Sequence, residues 1–196
     1  MNILMHVELS RVIRKAVEKE LNLKIDNFSF TYGNIKPDII PSSLPHYKES
    51  ALESVQAEIE QLATLKFNHS SRWLKQFSER LGIITHYLSD FFCYAHSEYF
   101  QPEKTGHYLY EFRQFYYFKR NQEVISLYSS MIPTYIQLSA SNLHNCIEAA
   151  HARYRSIIKD NRVPYARDAI YAISICVLVC VSLISMCLEN QLKFAV

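Results

Sequence analysis

Residues 81–96 read LGIITHYLSDFFCYAH, and this stretch decides both the fold class and the chemistry of the chain. Its apolar positions recur at helical spacing, inside a periodic segment that spans 70–97 and is interrupted only by Gly82. His86 and Asp90 stand one helical turn apart, so an imidazole and a carboxylate share a face and can grip one cation. His96 follows later on the same segment. On a continuous helix it would lie roughly 80° around the axis from His86, beyond the first ion but within reach of a second one close by.

Moving outward, SEYFQPEKTG (97–106) breaks the helix with Pro102 and Gly106, and HYLYE (107–111) then pairs His107 with Glu111 at the same i, i+4 spacing. A short turn between helices favours antiparallel neighbours, which swings this second pair back toward His96. Upstream, His6 sits in a helical segment over 3–22. The segment IDNFSFTYGNIKPDIIPSSLPH (25–46) holds three of the six prolines and one of the three glycines. It is expected to be a long irregular loop, able to bend Asp38 and His46 onto one ion. Imidazoles and carboxylates without thiolate are the donor set of hydrolytic zinc sites, with manganese or iron as substitutes.

The remaining pattern is helical: 47–65, 107–119, 121–131, 134–158 and 165–191. With 3 Gly and 6 Pro in 196 residues there is little turn material for many short strands, so the fold class is all-α, a single-domain multi-helix bundle over 1–196. A hydrophobic share of 49% against 20% charged excludes a disordered chain, and a net charge of +2 gives no pull toward nucleic acid. The stretch Ala169–Leu188, AIYAISICVLVCVSLISMCL, carries no formal charge and is long enough for a bilayer. Its serines and cysteines, and the close fence of Arg167, Asp168 and Glu189, favour a buried core helix over a membrane span. Cys93, Cys146, Cys176, Cys180 and Cys187 all lie in apolar runs and read as reduced, buried thiols. With no signal-peptide pattern at the start, the expected location is cytoplasmic, membrane association remaining open.

Several side chains have plainer readings. His144, Glu148 and His151 form one ExxH, short of the two that a di-iron bundle needs, and read as a solvated helix face. His69 belongs near a helix start, Lys36 is a solvated loop lysine, and the aromatic run Tyr108–Phe118 is core, with Tyr108, Tyr110 or Phe112 as candidates for an acyl-chain pocket.

Taken together, HYLSDFFCYAH followed by HYLYE resembles the zinc-dependent phospholipase C family, which shares its fold with single-strand-specific zinc nucleases. The family's pattern is HxxxD, a His six residues on, then HxxxE. It also has an Asp and a His in an earlier irregular segment, here Asp38 and His46, and a His opening the first helix, here His6. The resemblance implies that Asp38, His46, His86 and Asp90 hold one zinc, that His96, His107 and Glu111 hold a second, and that His6 binds a third with Asp90 as bridge. It makes Asp38 the residue that orients or deprotonates the attacking water. The implied reaction is in-line attack of metal-bound hydroxide on a phosphodiester, with a phospholipid as substrate and peripheral membrane contact. The alternatives are a nuclease or small-molecule phosphodiesterase on the same metals, or a non-catalytic membrane-associated protein that zinc only braces. Secreted members ligate the third ion through a processed N-terminus. Here five residues precede His6, which leaves open Met1's own amine, weak occupancy or no third ion.

Overall fold

The computed structural model describes residues 1–41, 44–100, 104–130, 138–159 and 165–193. Among these, the chain is all-α: α1 (Ile3–Leu21), α2 (Asn27–Ile39), α3 (Lys48–Ala63), α4 (Ser71–Phe91), a 3₁₀ turn (Tyr94–His96), α5 (Lys104–Ser130), α6 (Ala140–Ile158) and α7 (Tyr165–Leu192).

Local chemistry sets the helix starts. Asn2, Asp26, Ser70 and Ser139 each accept a backbone N–H from the first turn of α1, α2, α4 and α6 respectively. α1 is amphipathic, and its inner stripe buries Met5, His6, Leu9, Ile13 and Val17. Each fully buried aliphatic side chain there contributes about 1.5–3 kcal/mol by leaving water. The stripe that buries these apolar residues also carries His6 inward.

α7 is apolar around nearly its whole circumference, and every other helix except α2 packs substantially against it. It is long and apolar enough to cross a membrane, but 78% of its most apolar window is buried inside the protein.

The closest helix pair is α2 on α4. A Cβ on Gly33 would fall 2.1 Å from the Glu79 carbonyl oxygen, and one on Gly82 would fall 2.3 Å from the Phe30 carbonyl oxygen. Only two glycines facing each other permit this backbone approach. The contact brings the last turn of α2, with Asp38, against the turn of α4 that carries His86 and Asp90.

The loop expected over 25–46 is thus largely a helix. Gly33 serves a helix crossing rather than a turn, and Asp26 starts the helix by accepting the Ser29 N–H at 2.9 Å. Pro37 falls in the last turn, where its missing N–H removes one hydrogen bond as the helix is already ending. The irregular part shrinks to the link between Ile40 and Tyr47, which carries His46; Ser42 and Ser43 lie outside the described residues.

The helix expected over 70–97 stops at Phe91. Tyr94 gives its N–H to the Asp168 carboxylate at 3.1 Å instead of to a helical carbonyl, and the chain turns into the 3₁₀ segment. The two helices expected over 107–119 and 121–131 meet at a kink: α5 starts at Lys104 and leaves helical geometry at Asn121 (φ −117°, ψ 16°), at the expected break. α6 starts at Ala140 rather than 134, with residues 134–137 outside the described set.

Replacing Gly82 by Ala is expected to destabilise the fold by about 1–3 kcal/mol through overpacking against α2. Urea denaturation should show a lower midpoint at unchanged slope, and an unaltered midpoint would mean the crossing is not tight.

Candidate metal centre

Four elements deliver one polar cluster. His6 comes from α1, Asp38 from the end of α2, His46 from the link before α3, His86 and Asp90 from α4. His46 Nδ1 lies 2.9 Å from Asp90 Oδ2, 3.6 Å from Asp38 Oδ1 and 3.3 Å from His86 Nε2. His86 Nε2 is 3.5 Å from Asp90 Oδ2 and 3.9 Å from Asp38 Oδ1. His6 stacks on the His86 ring at 4.1 Å between centroids and points Nε2 at Asp90 Oδ1, 3.3 Å away.

A second group adjoins it. His96 Nε2 and His107 Nε2 lie 3.1 Å and 3.0 Å from the same Glu111 oxygen, and His96 Nδ1 is 3.8 Å from Asp90 Oδ2. The amino group of Met1 sits between the groups. It contacts the Asp90 carboxylate, His96 Nε2 at 3.0 Å and Glu111 Oε1 at 3.2 Å. All eight side chains singled out in the sequence therefore meet in one cleft. His96 reaches it from the 3₁₀ turn, close to Asp90 and Glu111 alike, rather than from a position roughly 80° around a continuous helix.

Hydrogen bonds outside the cleft fix the imidazoles. His86 Nδ1 donates to the Asn34 carbonyl at 2.8 Å, which directs Nε2 at the two aspartates; Asn34 is itself held by the Thr85 hydroxyl at 3.0 Å. His96 Nδ1 donates to the His46 carbonyl at 3.0 Å and so presents Nε2 to Glu111. An imidazole anchored by one nitrogen to a carbonyl, with the other turned toward further donor groups, is the arrangement metal-binding histidines adopt.

Electrostatics point the same way. Burial alone would raise the Asp90 carboxyl; His96, the Met1 amine, His6 and the His46 hydrogen bond outweigh it and hold it well below the carboxylate range. Burial likewise works against the Glu111 carboxylate, and hydrogen bonds from His107 and His96 reverse it, holding that group low. Burial, then the neighbouring His6, pushes His86 well down, so it stays a neutral donor. Asp38, with a side chain 16% exposed, is raised, first by burial and also by the Asp90 charge. Hydrogen bonding to Asp90 raises His46.

The fit to metal can be tested on atoms without partners. Both ring nitrogens of His6, and Asp38 Oδ2, are buried and make no hydrogen bond. Leaving such a group unsatisfied costs about 1–3 kcal/mol, and a cation among them removes that penalty. Two donors on one tetrahedral zinc, at about 2.0–2.2 Å from it, stand roughly 3.3–3.6 Å apart, close to the separations seen here. The residues present fit zinc, and His6, Asp38 and His86 form one compact donor group, His46, His86 and Asp90 another.

One support was invisible in the sequence. Asp168, at the start of α7 and fully buried, accepts hydrogen bonds from the Tyr94 N–H, the Tyr110 hydroxyl (2.7 Å), the Gln114 amide (2.7 Å) and the Tyr154 hydroxyl (2.7 Å). Burial raises its carboxyl to about 7 against these bonds. It ties the turn carrying His96 to the helix carrying Glu111. The available signal was an acidic residue opening an otherwise apolar helix.

The plainer candidates resolve individually. Lys36 pairs with Glu79 at 2.6 Å rather than being solvated. Glu148 pairs with Lys48 at 2.8 Å, and His151 is buried against Phe92 and Tyr154, not solvated. His69 precedes the Ser70 cap of α4 and packs on Phe67. Of the aromatic run, Tyr110 and Phe118 are core, whereas Tyr108, Phe112, Tyr116 and Tyr117 are exposed.

A helical chain that collects imidazoles and carboxylates from α1, α2, α4 and α5 into one cluster has donor groups that could hold metal. Residues 5–161 match the family model described as zinc dependent phospholipase C, and the chain belongs to that family. Among curated proteins and among solved structures, nothing matches it. The matched region covers all eight cleft residues and ends before Asp168.

Asp90 is ionised in the fold well below its ordinary value of 3.8, so its stabilising contribution is present above that pH and lost as acid protonates it. In chelator-treated protein, Asp90→Asn should cost about 3–5 kcal/mol at pH 7 by stranding the surrounding cations. Denaturation at pH 7 and pH 3 should show the gap to wild type narrowing in acid; a gap independent of pH contradicts the charge argument.

Proposed function

We propose that this chain is a zinc-dependent phosphodiester hydrolase and that its substrate is a phospholipid. The observation that carries this reading is the cleft itself: eight nitrogen and oxygen donors, with buried His6 nitrogens and an Asp38 oxygen that make no hydrogen bond. Asp38, His46, His86 and Asp90 would hold one ion, and His96, His107 and Glu111 a second. His6 would hold a third, with Asp90 shared. When bound, zinc supplies Lewis acidity at phosphoryl oxygens and lowers the pKa of water to about 7.

The chain's own groups do the rest. Asp38 is the cleft carboxylate best placed to handle the nucleophile, because Oδ2 makes no hydrogen bond and its raised pKa suits proton acceptance. It orients the attacking water and takes its proton as the water oxygen bonds to phosphorus. The bond to the glycerol oxygen breaks, and that oxygen leaves and is protonated, giving diacylglycerol and a phosphorylated headgroup. Asp90 and Glu111, held ionised, keep the cationic side of the cleft fixed. His46 and His107 are the cleft histidines nearest the surface and frame the mouth.

The outer face of α5 supports a lipid rather than a polynucleotide. Leu109, Phe112, Tyr116 and Tyr117 form an exposed stripe at helical spacing, and Arg113 and Arg120 line the same groove. The stripe starts within one turn of His107. Apolar and aromatic side chains interleaved with arginines suit the headgroup–acyl boundary of a membrane. Bases also stack on aromatics, but a net charge of +2 supplies little of the field that a polyanion requires. The five unpaired cysteines support a reducing, cytoplasmic location, and the burial of α7 supports a core helix with membrane contact made peripherally.

Zinc-loaded protein should hydrolyse short-chain phosphatidylcholine in preference to single-stranded DNA. The reverse preference favours the nuclease, and folding with zinc but no hydrolysis of either favours a purely structural metal. Asp38→Asn should lower kcat by about 10²–10⁴-fold, with zinc content measured in parallel by elemental analysis. In the double variant Phe112→Ser/Tyr116→Ser, the rate on phosphatidylcholine vesicles should fall much more than the rate on soluble short-chain substrate. Equal losses on both would remove the docking role of the stripe.

A further inference from the structure

Cys93 is the second residue past α4, three positions beyond Asp90 and three before His96. Two backbone hydrogen bonds fold this stretch on itself: the Cys93 N–H donates to the Asp90 carbonyl at 3.1 Å, and the His96 N–H to the Cys93 carbonyl at 2.9 Å. The turn aims the sulfur inward. Cys93 Sγ, a ring nitrogen of His96 and a carboxylate oxygen of Glu111 all lie within 4.8 Å of one another, and Cys93 is 1% exposed. The hydrogen-bond contact of Sγ is a long one, 3.8 Å to Gln114 Oε1.

The other cysteines are placed differently. Cys176 bonds the Thr85 carbonyl and contacts Ser89, and Cys187 bonds the Leu62 carbonyl. Cys180 is buried on α7, and Cys146 is half-buried on α6. Among the described residues, Cys93 is the cysteine that joins a group of metal-type donors.

We propose that Cys93 is itself a metal ligand, its thiolate joining His96 and Glu111 on the second ion. This rests on the reading that the cleft holds zinc, and it adds sulfur to a donor set read from the sequence as nitrogen and oxygen alone. On binding, the S–H bond breaks, a sulfur–metal bond forms and the proton leaves to solvent. Zinc binds sulfur at about 2.3 Å and imidazole nitrogen at about 2.0–2.1 Å, which sets donors roughly 3.4–3.7 Å apart on a tetrahedral ion. The donors now lie within 4.8 Å of one another, so an ion would draw them together. A thiolate at this position makes the ion a softer site, preferring zinc and cobalt over manganese or magnesium.

The test uses the full chain, stripped with chelator and reloaded with cobalt(II). Wild type should show the near-ultraviolet charge-transfer band of a sulfur–cobalt bond. Cys93→Ser should bind cobalt with that band abolished, and Cys176→Ser should keep it. X-ray absorption at the zinc edge of unsubstituted wild type should show a sulfur shell at about 2.3 Å beside the nitrogen and oxygen shell, which makes the result independent of how well the variant folds. Bound metal with no sulfur shell, or a band surviving in Cys93→Ser, overturns the assignment and leaves the zinc-hydrolase reading intact. Failure of zinc and cobalt to bind at all overturns both.

Discussion

The structure turns on one buried negative charge. Asp90 is fully enclosed, and an isolated carboxylate so placed would be several kcal/mol out of balance. The Met1 amine, His6, His46, His86 and His96 all approach it, and they come from α4 itself, the 3₁₀ turn after it, the N-terminal segment with α1, and the link before α3. No single helix could supply these partners, because one helical face offers only the positions three and four residues away. Convergence of distant segments is therefore required by the charge, and the bundle is the means of achieving it.

Two packing devices meet that requirement. The Gly33–Gly82 contact allows the backbones of α2 and α4 to approach until Asp38 can share His46 and His86 with Asp90. Asp168 holds the opposite side, where four donors from the 3₁₀ turn, α5 and α6 end on one carboxylate of α7. The first device is steric and the second polar, yet both keep the turns that carry the clustered histidines and carboxylates at a fixed separation. α7 thus contributes no donor to the cleft but carries the anchor for His96 and Glu111.

The sequence showed the donors more clearly than the scaffold. Helical spacing identified His86 with Asp90 and His107 with Glu111, because i, i+4 pairing is a local property. It misjudged 25–46, where proline and glycine counted as turn signals, although Gly33 is needed by a partner helix distant in sequence and Pro37 costs little in a final turn. It extended α4 through His96 because the apolar pattern continues past Phe91. What ends that helix is the Asp168 carboxylate taking the Tyr94 N–H, a bond formed across 74 residues. Tertiary competition of this kind leaves no periodic trace. The roles of Asn34 and Asp168 were hidden for the same reason, since orienting a histidine through a carbonyl, or a turn through a carboxylate, is visible only after the chain has closed.

The unpartnered atoms of His6 and Asp38 connect stability to chemistry. A fold that buries polar nitrogen and oxygen without hydrogen bonds carries a penalty that nothing in its apolar core offsets locally. A divalent cation bound only by the folded state returns that free energy as stability, in proportion to the logarithm of its concentration over its dissociation constant. The same atoms that destabilise the cleft are those with free lone pairs for an ion and for water. Hydrogen bonds that satisfied them internally would make a more stable bundle and remove the lone pairs that suit an ion.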